Sequence, residues 1–229
     1  EVSLVDNVTE IYEPGAPAIV PSPLPETDPP NANGNAGLVR DRRYGANGQD
    51  GKDGGGLRIC IIKCFTIGVD PTAGHAGSAG PTFTSNVANR EITSVSDQTP
   101  GVLVSSTGGN GGQGGDAYSV AGVDAAHGGP AGAGGNPTVN VADTVTITTT
   151  GQHSHGIHVQ SVAGRGGSGG SGYALFSGSG GNGGPAAAGG NAAATNHGDV
   201  TTTGAGAVGL YVQSLGGGGG SGGNCWGVV

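Results

Sequence analysis

Large side chains are scarce in this chain. Aromatics make up 4% of its 229 residues, Met is absent and there is a single Trp. An ordinary globular core cannot be filled from such a composition. Charge is thin as well, at 10%, with 8 basic against 16 acidic residues and a net charge of −8. An acidic chain without a Lys/Arg cluster excludes nucleic acid and anionic membrane surfaces as natural partners. Arg40, Arg42 and Arg43 form the only basic knot, and Asp41 sits inside it. No apolar run approaches the roughly 18 residues of a membrane-spanning helix; the longest, at 59–65, is interrupted by Lys63. No secretory signal is visible and residue 1 is Glu, so the chain reads as a processed form or a fragment.

Three cysteines make no disulfide framework. In one strand Cys60 and Cys64 would share a face about 13 Å apart, beyond bonding reach. A turn between them, or pairing of either with Cys225, would permit a bond; buried or idle thiols are the default.

What is abundant is glycine, at 53 residues. It is not scattered. Residues 209–223 read Gly-Leu-Tyr-Val-Gln-Ser-Leu and then a glycine tract broken only by Ser221. Residues 156–170 read Gly-Ile-His-Val-Gln-Ser-Val-Ala and then another, and 101–115 read Gly-Val-Leu-Val-Ser-Ser-Thr followed by Gly-Gly-Asn-Gly-Gly-Gln-Gly-Gly. A short alternating strand runs into a glycine tract at near-constant spacing, which is the signature of a repeat architecture.

The units divide the chain as follows. Residues 1–36 form a short strand and a proline-rich arm; the arm, at 14–35, is extended and cannot be helix interior. Residues 37–100 are a divergent first repeat or cap, in which Gly80-Pro81-Thr82-Phe83 answers Asn136-Pro137-Thr138-Val139. Repeats follow at 101–155 and 156–208, with a partial one at 209–229. Within the second unit, Val139, Val141, Val145 and Ile147 alternate with Thr and Asn, the period of half-buried strands. Stacking would align Val102, Ile157 and Leu210 in one apolar ladder and Val104, Val159 and Val212 in another. Leu103, His158 and Tyr211 would face the other way. Tyr118, Tyr173 and Trp226 share a station and are expected to cover the end of each tract.

A Gly-Gly-X tract can adopt the threefold left-handed helix of polyproline II while keeping its N–H groups, which then bond laterally to neighbours. The expected fold class is therefore all-β, a repeat β-solenoid or stacked-sheet architecture with polyglycine-II segments. A repeat of this length is expected to cover more than one solenoid turn.

The chemistry-bearing patterns are weak. Gly-X-Ser-X-Gly at 166–170 and 219–223 lacks the strand-to-helix setting of a hydrolase elbow and is cheap in so glycine-rich a chain. Residues 111–119 fit a calcium-binding nonapeptide, with Asp116 as carboxylate, but its counterparts Ser171 and Asn224 carry no charge. His153 and His155 would share a strand face beside His158 and chelate zinc or nickel there, yet the next repeat has Gly206, Val208 and Tyr211 instead. Asp6, Asp41, Asp50 and Asp53 read as solvated loop charge. No catalytic residue, cofactor or metal site is assigned, and the chain reads as non-enzymatic.

The pattern Thr-Thr-Thr-Gly, four residues, then Gly-Ile/Leu-X-Val-Gln-Ser and glycines occurs at 148–170 and 201–223 and more loosely at 101–115. It resembles the passenger repeats of large glycine-rich autotransporters, surface proteins of Gram-negative bacteria. That resemblance implies an elongated extracellular passenger on the bacterial cell surface, exported through an outer-membrane barrel, with a cell-surface or glycan ligand. The alternative is a fibre or sheath subunit, a homopolymer whose Pro-rich arm joins neighbours.

Overall fold

The structure is a computed structural model that describes residues 26–27, 34–60, 64–120 and 122–227. The strand expected within 1–12, Asp6 and most of the proline-rich arm lie outside the described residues. Among the described residues there are strands and no helix. The arm carries β1 (Glu26–Thr27), and the first unit carries β2 (Val39–Tyr44), β3 (Gly54–Cys60), β4 (Cys64–Val69), β5 (Phe83–Val87) and β6 (Arg90–Ser94). The second carries β7 (Val102–Thr107), β8 (Ala117–Ser119), β9 (Val123–Asp124), β10 (Pro137–Val141) and β11 (Val145–Thr149). The third carries β12 (Ile157–Val162), β13 (Gly172–Ala174), β14 (Gly178–Ser179), β15 (Ala193–Asn196) and β16 (Asp199–Thr202). The fourth begins with β17 (Leu210–Leu215) and ends with β18 (Cys225–Trp226).

Equivalent strands of successive units pair in parallel. The ladder β2-β7-β12-β17 sets Val39, Val102, Ile157 and Leu210 opposite one another. The alignments expected from sequence hold there, and also for Tyr118, Tyr173 and Trp226 in the ladder β3-β8-β13-β18. Further ladders run β5-β10-β15, β6-β11-β16 and β9-β14. Hydrogen-bond partners along the stack lie 63, 55 and 53 residues apart in turn. Each repeat is thus one coil, where more than one turn was expected. A long contour is spent in the glycine tracts before the chain closes on itself.

The coil has a simple itinerary. From the first strand the chain runs out along one glycine tract, turns through β8 and β9 or their counterparts, and returns along a second tract. Two further strands close the coil. At the closing end the sheets of β7, β10 and β11 meet in an apolar core, with Val102, Val104, Val139, Val141, Val145 and Ile147 at most 1% exposed. Alternation explains this: in β11 Val145, Ile147 and Thr149 point inward while Thr146 and Thr148 point out. Val, Ile and Thr suit a pleated surface whose two faces differ.

The tracts pack by backbone. Gly45, Gly48 and Gly51 donate N–H bonds to the carbonyls of Thr107, Asn110 and Gln113 in the next coil (2.6–2.8 Å). Gly109, Gly112 and Gly115 donate in the antiparallel sense to Ser78, His75 and Thr72 on the return tract of the first coil (2.8–3.0 Å). Gly132 and Gly129 then donate to Gly109 and Gly112. The period is three residues throughout, and an outward and a return layer alternate along the stack. Close approach explains the glycine: a Cβ on Gly112 would overlap the carbonyl of Gln49, and one on Gly167 that of Gly112.

Buried hydroxyls tie the two packing modes together. The Ser161 hydroxyl donates to the Gly135 carbonyl (2.6 Å) and accepts from the Gly190 N–H (2.8 Å), stitching the end of β12 to the return tract. Ser106 does the same to Pro81 (2.7 Å). Thr149 closes the turn before β12 by donating to the Ser154 carbonyl (2.6 Å). The Thr and Ser positions of the repeat motif are therefore structural fasteners.

The two ends of the stack differ. At the first coil, β1 and β4 pair antiparallel to β2 and β3 and end those ladders, and Ala36 bridges to Thr93 on β6. Covered edges of this kind block edge-to-edge association. The β3–β4 hairpin is the extra length of the first unit, and it sets Cys60 opposite Cys64. The core also ends in a polar pair there: Asp41, 7% exposed, accepts from Arg43 (3.0 and 3.2 Å), whose guanidinium lies 3.8 Å from the Phe83 ring centroid. Register corrects one expected alignment, because Phe83 faces Pro137, two residues from the proline-to-proline match. At the fourth coil Leu210, Val212 and Leu215 are 41–48% exposed.

Candidate functional site

The far turn of each coil carries the aromatics. β8 and β13 are three-residue strands with Ala117 and Gly172 turned inward, so period two sends Tyr118 and Tyr173 outward. Their rings stack with centroids 5.0 Å apart and planes 6° from parallel. Trp226 holds the next station and is 64% exposed. Tyr118 and Tyr173 are 48% and 37% exposed, so one side of the stacked pair is open to solvent. At the first coil the ladder is interrupted, because the residue opposite Tyr118 is Gly55. A cleft of about 680 Å³ opens at this place, lined among others by Gly55, Tyr118, Asp70, Asp124, His127 and Ser177. The Tyr118 hydroxyl donates to the Asp116 carboxylate at 3.4 Å. Desolvation, and then the charge of Asp116, hold its phenol above the usual range.

The carboxylates read as solvated loop charge have partners. Asp50 and Asp53 accept the N–H groups of Gln113 and Asp116 in the next coil (2.7 and 2.9 Å), and Asn47 accepts that of Asn110 (2.8 Å). Asn110 and Asp116 repeat this toward Arg165 and Ser171 (2.8 and 2.6 Å). At these stations an Asn or Asp one coil below supplies the acceptor for the tract N–H, and at the next coil the Ser171 hydroxyl does so for Asn224 (3.4 Å). Asp41 is committed to Arg43. Asp116 accepts from the Ser171 N–H and the Tyr118 hydroxyl. The signal for this role was in view: Asn47, Asp50 and Asp53 share the three-residue period of Gly45, Gly48 and Gly51.

The histidines do not share the strand face that their spacing suggested. His153 sits in the turn before β12 with a φ of 54°, so it and His155 are not on one strand face. His155 Nδ1 accepts from the Val208 N–H (3.2 Å), and its ring stacks on Tyr211 at 4.7 Å. His158 meets Tyr211 edge-on at 5.0 Å and contacts the Gln213 amide at 3.2 Å. Desolvation, reinforced by His155, lowers the His158 pKa to about 4; desolvation and then His153 lower that of His155. These neutral rings fasten the third coil to the fourth. Among the described residues no group of three or more His, Cys, Asp or Glu side chains is placed to hold a metal.

Ser168 and Ser221, the centres of the Gly-X-Ser-X-Gly patterns, lie within outward tracts. Neither has the helix such an elbow requires. Cys225 is a free, exposed thiol.

No protein-family model matches this chain, and no curated protein matches it. Among solved structures it is similar to the nine-helix polyproline type II bundle of a springtail antifreeze protein from Granisotoma rainieri. The identity is 18%, over 82% of this chain and 96% of that one, with a TM-score of 0.13. At that score the likeness carries no argument.

Proposed function

We propose that this chain is a non-enzymatic, extracellular structural or adhesive repeat protein, the passenger of a secreted bacterial surface protein. It acts as a stiff rod that presents its far-turn side chains to the surroundings. The observation that carries this reading is the coupling of successive coils by backbone. Tract amides, Asn and Asp side chains and parallel ladders all bond along the stack, so bending the rod would break many hydrogen bonds together. The chemistry of the side chains points the same way, since Asp50, Asp53, Asp116, His155 and His158 are occupied in holding coils together. The tracts are read as polyglycine-II helices, supported by their three-residue hydrogen-bond period and their lateral bonding. The resemblance of the Thr-Thr-Thr-Gly and Val-Gln-Ser motifs to autotransporter passengers supports the bacterial cell surface as its location. Negative-stain electron microscopy with light scattering tests this reading: monodisperse rods are expected, and compact or irregular particles would refute it.

A second reading, a self-assembling fibre subunit, is favoured by the exposed Leu210, Val212 and Leu215 at the fourth coil. The same micrographs separate the two, because filaments of constant width would select the fibre. In that case removal of residues 1–25 would be expected to shorten or abolish them.

A further inference from the structure

We infer that the cleft between Gly55 and Tyr118 is a binding slot for a neutral pyranose unit of a glycan. The inference rests on the surface-protein reading for the class of ligand, but its geometry is independent of particle shape.

The slot arises from one missing side chain. Tyr173 covers one face of the Tyr118 ring at 5.0 Å. The other face looks toward the first coil, where the station opposite Tyr118 is Gly55. Neighbouring strands lie about 4.8 Å apart, so the vacant station is as thick as one stacked ring. A pyranose ring has that thickness, and its axial C–H bonds present an apolar, faintly positive face to the negative face of an aromatic ring.

Among the described residues, packing does not impose glycine at 55. A Cβ there would lie 3.8 Å from the Tyr118 carbonyl oxygen and 4.0 Å from its Cβ, ordinary van der Waals distances. Its neighbour Gly54 differs, since a Cβ there would overlap Pro71. The fold therefore tolerates a side chain at 55, and the effect of its absence is the open slot.

The polar lining selects the ligand. Asp70 and Asp124 supply acceptors, and among the described residues no Lys or Arg lines the cleft. Anionic sugars and phosphates are thus disfavoured. Donors are present too. His127 Nδ1 accepts the Asn182 N–H (2.8 Å), which leaves the ring proton on Nε2 as a donor, and Ser177 adds a hydroxyl. A mixed set of donors and acceptors beside an aromatic face matches hydroxyl groups, which do both. A cationic ligand would use only the acceptors. A volume of about 680 Å³ accommodates a small saccharide.

The test is an array of neutral, sialylated and sulfated glycans, followed by titration calorimetry of the strongest neutral binder, with choline as a cationic control. Binding to at least one neutral glycan is expected. Gly55→Tyr, which fills the station, should weaken it by at least about tenfold, and Tyr118→Ala should do the same. Tyr118→Phe should retain binding. Trp226→Ala, two stations away, should leave the affinity unchanged. Absence of any neutral-glycan binding would overturn the proposal. So would binding indifferent to both Gly55→Tyr and Tyr118→Ala, or a preference for anionic glycans or choline. A rod that binds no glycan would leave the structural reading standing, whereas a glycan-binding particle that is not a rod would overturn the structural reading alone.

Discussion

The two ends of each coil solve one problem by opposite means. At the closing end, side chains exclude water: Val, Ile and Thr interdigitate between three sheets, and the backbone bonds only along its own ladders. In the tracts, side chains are excluded and backbones from two layers bond directly. The first solution tolerates small changes of shape because side chains can shift. The second has no such slack, since its contacts are carbonyl oxygens at hydrogen-bond distance. Glycine is a liability in the first region and a requirement in the second.

Single methyl groups break this comparison most sharply. Gly112→Ala adds one methyl group where the Gln49 carbonyl already sits. A loss of about 3 kcal/mol or more is expected, at the upper end of overpacking costs, read by chemical denaturation. Ile147→Val removes one methylene from a fully buried core position. The same measurement should give about 1 kcal/mol. If the two substitutions cost alike, the tracts are not packed as described.

Acid should act on the side-chain ladder between the third and fourth coils. The His158 pKa is lowered in the fold to about 4, from the ordinary 6.5, first by desolvation and then by His155. The unfolded chain therefore binds the extra proton first as pH falls. Stability from this group is full above 6.5, declines from there toward 4 and is flat below. His158→Leu, which copies Leu103 at the equivalent station, should flatten that slope relative to the parent in urea titrations. Unchanged slopes would remove His158 from the account.

A smaller effect is expected for Asp50→Ala, which deletes the acceptor of the Gln113 N–H. Amide exchange at Gln113 should accelerate several-fold while that at Gly112, bonded to the His75 carbonyl, stays slow. The smallest is Gly216→Ala. A Cβ there would lie 3.6 Å from the Ala187 carbonyl, an ordinary contact, so a change within about 1 kcal/mol of zero is expected.

Much of the repeat was legible from sequence because stacking makes equivalent positions meet. Val102, Ile157 and Leu210 could be aligned by eye, and so could the three aromatic stations. The slip at Pro81 has a physical reason: a two-residue shift keeps Phe83, Ser85 and Val87 facing inward, so alternation alone did not choose between the two registers. The number of turns per repeat was not legible, since glycine tracts carry no periodic apolar signal to mark where a coil closes. Roles of Asp50 and Asp53 were missed because a charge in a loop reads as solvated, and its acceptor function appears only when the next coil lies above it. Gly55 is the hardest case. One glycine among many is silent in sequence and gains meaning only from Tyr118 opposite.

The central claim is that the tracts are held as firmly as the strands, by hydrogen bonds repeating every third residue. Residue-resolved amide hydrogen exchange of the native protein tests it most directly. Gly109, Gly112, Gly115, Gly129 and Gly132 should be protected as strongly as Val104 and Val159, with loss of protection only on global unfolding. Tract amides exchanging at unfolded-chain rates beside protected strands would contradict it, leaving the glycines as linkers between sheets.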